Sequence, residues 1–111
     1  DWENDYRAIL ESSRNANPTL QIVLLDPFVL PSKRFTKDEY RKWRGETDKL
    51  GAIVSRLAKD YQAIHVRTQQ VFDDATKIAP PEHWIWDGVH PLPQGHELIA
   101  RAWLNQFSVR P

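Results

Sequence analysis

The chain has 111 residues, enough for one domain with a modest core, and its fifteen basic and fifteen acidic side chains cancel. That balance gives no electrostatic case for nucleic acid or anionic lipid as a partner, and the absence of cysteine removes disulfides, thiolate metal sites and a cysteine nucleophile together. No apolar run approaches the roughly 20 residues that span a bilayer, so a soluble product is expected; nothing separates a cytoplasmic from a secreted one.

The chain has no methionine and starts directly in helix periodicity, which suggests a segment cut from something longer, with any signal peptide lying upstream. Trp2, Tyr6, Ile9 and Leu10 recur at helical spacing, and Asn15 to Pro18 supply a stop, predicting a helix of about four turns. Leu20 to Leu25, aliphatic and β-branched apart from Gln21, is ended by Asp26-Pro27, the pattern of a parallel strand buried on both faces.

Pro27 to Pro31 reads as an apolar loop. Thr36 with Glu39 then forms a capping-box signature for a long helix ending near Asp60. Tyr40, Trp43, Thr47, Leu50, Val54, Leu57 and Tyr61 make a single apolar stripe along it, expected to face the core. The basic residues Lys33, Arg34, Lys37, Arg41, Lys42 and Arg44 fit a solvated loop and helix face. Ala63 to Val66 reads as a second short strand, and Val71 to Ile78 as a helix closed by Pro80-Pro81. Pro93, Ile99, Ala102, Trp103 and Phe107 mark a C-terminal amphipathic helix with Pro93 near its first position.

Strands separated by helices imply parallel pairing in a layered α/β arrangement. Two strands are too few for a closed core. The sheet is expected to be completed by an absent N-terminal part of the same protein, a second copy of the chain or another fragment.

Chemistry concentrates in Trp84-Ile85-Trp86-Asp87-Gly88-Val89-His90-Pro91. A turn across Asp87 and His90 can set the carboxylate against the imidazole Nδ1–H and leave Nε2 facing outward, as a general base requires. The same residues are also good turn chemistry and could simply cap the following helix. Extended backbone puts Trp84 and Trp86 on opposite faces, so one can enter the core while the other lines a cleft, although packing suits both. His65, His83, His90 and His96 with Asp87 could supply metal ligands, but His96-Glu97 lacks the second histidine of a zinc-binding helix. His65 reads as an ordinary strand residue and His96 as a helix-surface one.

The segment DGVHPLPQGHELIARAWL resembles the last block of the GDSL, or SGNH, family of serine esterases and lipases, and YRAILESSRNANPTLQIVLLDPFVLP resembles the helix, strand and apolar loop of that family's later half. The resemblance covers nearly the whole chain. It implies residues 1–111 as the C-terminal part of one SGNH-type domain: a partial, flavodoxin-like three-layer α/β/α fold with parallel strands whose N-terminal strands are missing. It carries Asp87 over as the triad acid and His90 as the general base, for hydrolysis of acyl or acetyl esters, and implies no metal or organic cofactor. The small ester partner could be an acylated sugar, a short acyl ester or a lipid.

The family's Gly-Asp-Ser nucleophile block, the glycine of its second block and its Gly-x-Asn-Asp block do not occur here. Asn4-Asp5 imitates the last but falls within the first predicted helix. Ser12, Ser13, Ser32, Ser55 and Ser108 include none in a strand-to-helix turn, Ser32 being the nearest to a candidate. The isolated chain is thus expected to be inactive. Two readings of another class stand beside it: a non-catalytic α/β interaction module that completes its sheet by pairing, and a small metal-binding domain.

Overall fold

The computed structural model describes residues 1–108. They form α1 (Trp2–Ala16), β1 (Val23–Leu25), α2 (Lys37–Asp60), β2 (Ile64–Val66), α3 (Thr68–Ala75), α4 (Pro81–Trp84) and α5 (Pro93–Ser108). The strands pair in parallel, with Val23 opposite Ile64, Leu24 opposite His65 and Leu25 opposite Val66. Among the described residues no helix is long and apolar enough to cross a membrane.

Local chemistry sets the helix ends. Asp1 caps α1 by accepting the Asn4 N–H at 2.8 Å, satisfying one of the free amides of the first turn. Thr36 and Glu39 form the reciprocal capping box that the sequence predicts, at 3.1 and 3.0 Å. Arg7 then ties α1 to the end of α2, reaching Glu3 at 2.9 Å and Asp60 at 2.8 Å.

Two apolar clusters make the core. Leu10, Ile22, Leu24, Val54, Leu57 and Ala58 join α1, β1 and α2. Leu30, Phe72 and Ile85 form the other, with Phe28, Trp84, Leu98 and Ile99 packed around them. That second cluster lies beneath the Asp87 to His90 loop.

Several boundaries differ from the sequence expectation. β1 is three residues long, and burial alternates along it: Ile22 and Leu24 are buried, Val23 and Leu25 half-buried, and Leu20 exposed. In the register, Ile64 and Val66 share a face with Val23 and Leu25 and are buried at 2% and 1%, so both faces of the pair are packed and it is β1, with a neighbour on one edge among the described residues, that is less covered on that face. The stripe on α2 is fully buried at Val54 and Leu57, with Tyr61 packed against them, and Trp43 is 57% exposed. A 24-residue helix runs about 36 Å, whereas a strand of three residues covers about 10 Å, so the first half of α2 extends past the sheet.

α3 begins at Thr68, three residues before the predicted start, because the buried Thr68 hydroxyl donates to the Asp26 carbonyl and anchors the first turn to β1. It ends at Ala75, leaving Ile78 exposed. Pro80 and Pro81 do not terminate it. Pro81 opens the short α4 instead, where a missing N–H costs nothing. On α5, Ile99 and Ala102 are half-buried while Trp103, Leu104 and Phe107 are exposed.

Candidate active site

The loop after α4 is pinched at its base. Buried Ile85 bridges Pro91 in antiparallel fashion, and the Leu92 amide donates to the Trp84 carbonyl at 2.9 Å. Within the loop, Oδ1 of Asp87 accepts the amides of Val89 at 3.0 Å and His90 at 2.7 Å. Its Oδ2 meets Nδ1 of His90 at 2.5 Å. Gly88 adopts a φ of 95°, a left-handed conformation that a side chain disfavours.

The two partners differ sharply in exposure: the Asp87 side chain is 10% exposed and that of His90 72%. Burial raises the Asp87 pKa, but hydrogen bonds from the Val89 amide, the imidazole and the His90 amide outweigh it and hold the carboxyl at about 2. An ionised carboxylate only accepts, so Nδ1 donates across this contact, and in the neutral ring the lone pair is on Nε2. The arrangement is a fixed imidazole with one end anchored and the rest of the ring facing solvent, able to take and return a proton.

The loop following β1 forms the neighbouring wall. The Leu30 amide donates to the Gly88 carbonyl at 3.0 Å, and the Phe35 ring and Leu30 carbonyl occupy the space where a side chain at Gly88 would go. Arg34 places its guanidinium 4.6 Å from the centre of the Trp86 ring. Trp86 lies 6.4 Å from the imidazole of His90 with their planes 26° apart. Trp84 turns the other way, donating Nε1 to the carbonyls of Ala75 and Ala79 at 3.2 and 3.1 Å. The tryptophans therefore divide between core and site.

No protein-family model matches the chain. An acetylxylan esterase of Geobacillus stearothermophilus is 30% identical over 106 residues, which are 94% of this chain and 46% of that protein. A protein described as a GDSL-like lipase from Parabacteroides merdae superposes with a TM-score of 0.88 at 34% identity, over 97% of this chain and 49% of that one. The chain matches the C-terminal half of SGNH/GDSL-type hydrolases. The crystal structure of the Geobacillus esterase agrees, with a TM-score of 0.71 at 27% identity over 97% of this chain and 48% of that one.

The chain thus spans about half the length of the SGNH/GDSL-type relatives it matches, and its parallel β1–β2 pair and flanking helices form a partial α/β arrangement of that type. Three variants of the Geobacillus esterase described as catalytic mutants replace a serine, a histidine and an aspartate, the last two three positions apart. Asp87 and His90 have that spacing.

Other residues of the chain depart from the sequence reading. His65 is not an ordinary strand residue: its Nε2 meets Oδ1 of Asp26 at 2.6 Å, with side chains 11% and 13% exposed. The pair borders a cavity of about 370 Å³ shared with Arg44, Arg67 and Asp73. Nor is the basic stretch only solvated. Arg44 grips Asp73 through two hydrogen bonds at 3.0 and 2.6 Å, and Arg34 stacks on Trp86.

Asn4 and Asp5 lie exposed on α1. Ser13 donates to the Ile9 carbonyl and Ser32 accepts the Arg34 amide, while Ser12 and Ser55 are on helices. The side chain of Ser108 lies outside the described part of the structure. Among the described residues no three His, Asp or Glu side chains are placed so that they could hold one metal ion. Spacing gave no sign of the Asp26–His65 and Arg34–Trp86 contacts, because each joins residues far apart in sequence.

Proposed function

We propose that this chain is the C-terminal part of a single SGNH-type domain that hydrolyses carboxylic esters, acetyl or other acyl, with Asp87 as the acid and His90 as the base of a Ser-His-Asp mechanism. The observation carrying this reading is the Asp87–His90 pair itself: a buried carboxylate 2.5 Å from Nδ1 of an exposed imidazole. Similarity to an acetylxylan esterase and to a GDSL-like lipase supports the reaction class. The partner molecule is a small ester, such as an acylated sugar, a short acyl ester or a lipid.

The nucleophilic serine and the oxyanion donors come from outside these 111 residues. Nε2 of His90 takes the proton of that serine as its oxygen attacks the ester carbonyl carbon. Collapse of the tetrahedral intermediate breaks the bond to the alcohol, which leaves with the proton from His90, and the acyl group stays on the serine. Water then attacks the acyl-serine, giving a proton to His90, which passes it to the serine oxygen as the acyl–oxygen bond breaks and the carboxylic acid leaves. Asp87 stays ionised throughout, holding the ring and stabilising the imidazolium.

The full-length protein carrying this chain should turn over p-nitrophenyl acetate, and His90→Ala should lower kcat by about a thousandfold or more. The isolated chain should be inert. Full activity in the His90→Ala protein would overturn the assignment.

A further inference from the structure

Trp86 is an exposed aromatic set between two sealed residues. Ile85 is fully buried and Asp87 is 9% exposed, yet the indole between them remains 48% exposed. Arg34, from the loop after β1, covers one face at 4.6 Å, a cation–π contact that holds both groups. The rest of the indole lies open beside His90, 6.4 Å from ring centre to ring centre.

An aromatic surface offers contact to C–H groups, and a guanidinium offers several directed N–H donors to hydroxyls. Side by side, they suit a ring that presents C–H groups on its faces and hydroxyls on its rim. Position determines which part of an ester they would meet. In the mechanism above His90 hands its proton to the departing alcohol, so groups flanking the imidazole flank the alcohol portion rather than the far end of an acyl chain.

We infer that Trp86 and Arg34 form the subsite for the leaving alcohol and select a hydroxyl-rich ring, making an acylated carbohydrate the substrate class. The inference rests on the ester-hydrolase reading of Asp87 and His90. Both residues bind substrate and neither takes part in proton transfer. Trp86 supplies area, and Arg34 supplies hydrogen bonds while keeping the indole in place.

The test compares kcat/KM of the full-length protein for a peracetylated methyl pyranoside with that for ethyl acetate, whose leaving alcohol has no ring. Trp86→Ala should lower the pyranoside-to-ethyl acetate ratio by about tenfold or more, and Trp86→Phe should restore most of it. Arg34→Ala should lower the ratio in the same direction. An unchanged ratio in Trp86→Ala, whether through equal losses on both esters or no loss on either, would overturn the subsite and leave the triad reading intact. A wild-type protein inert toward both esters would overturn the hydrolase reading and the subsite with it.

Discussion

Leu30 donates its amide to the carbonyl of Gly88 at 3.0 Å, joining the loop after β1 to the turn that holds His90. The loop after β1 thus holds a turn more than fifty residues later in sequence, and the second apolar cluster supports both. Gly88 is the tightest point of this junction. Its φ of 95° and the Phe35 ring and Leu30 carbonyl packed over it leave no room for a methyl group. Gly88→Ala should therefore cost about 1–3 kcal/mol in stability and displace the imidazole. Chemical denaturation with parallel kinetics checks this; wild-type stability and activity in the variant would show that the turn tolerates the change.

Asp87 makes a pH prediction whose direction follows from its lowered pKa. In the unfolded chain this carboxyl titrates near about 3.9, whereas in the fold it titrates at about 2. Its contribution to stability is full above the unfolded value and is lost as pH falls through the folded one. The melting-temperature difference between wild type and Asp87→Asn should be largest at neutral pH and shrink between about pH 5 and pH 2. A difference independent of pH over that range would contradict the hydrogen-bonded, ionised carboxylate. Loss of activity at mildly acidic pH should not come from titration of Asp87.

The Asp26–His65 contact should be structural and costly to break. Both side chains are nearly buried, and His65→Ala would leave the Asp26 carboxylate next to the β1–β2 junction without its 2.6 Å partner. A loss of about 2–4 kcal/mol is expected, read from urea denaturation. A loss below about 0.5 kcal/mol, the range of ordinary surface substitutions, would mean that solvent replaces the pair.

Gln69 holds the loop under the site. Its Oε1 accepts the Val29 amide at 2.8 Å, and its Nε2 donates to the Val29 carbonyl at 3.1 Å and to Asp73 at 3.0 Å. Gln69→Leu keeps the bulk but strands the Val29 backbone groups, and should cost about 1–3 kcal/mol. Amide hydrogen exchange at Val29 should quicken in the variant. Unchanged protection there would sink this account of the loop.

Local signals and long-range contacts differed in how far the sequence revealed them. The Thr36–Glu39 capping box and Pro93 as the first residue of α5 depend on neighbours within a turn, and both form as the residues predict. The register of Asp87 against His90 is equally local. Trp43 was misplaced because helical periodicity shows which face a residue occupies but not how far the covering sheet extends. His65 and Arg34 were misread because their partners, Asp26 and Trp86, lie 39 and 52 positions away. The start of α3 was missed because the Thr68 hydroxyl reaches back to Asp26, in the loop just after β1.

Asp87 and His90 are proposed to act as one unit, and a double-mutant cycle on kcat tests that most directly. Asp87→Ala, His90→Ala and the double variant of the full-length protein should be compared on p-nitrophenyl acetate. If the carboxylate works through the imidazole, removing Asp87 should cost about a hundredfold to ten-thousandfold in kcat, and its removal should add almost nothing once His90 is gone. Losses that multiply in the double variant would show independent roles and contradict the shared acid-and-base assignment.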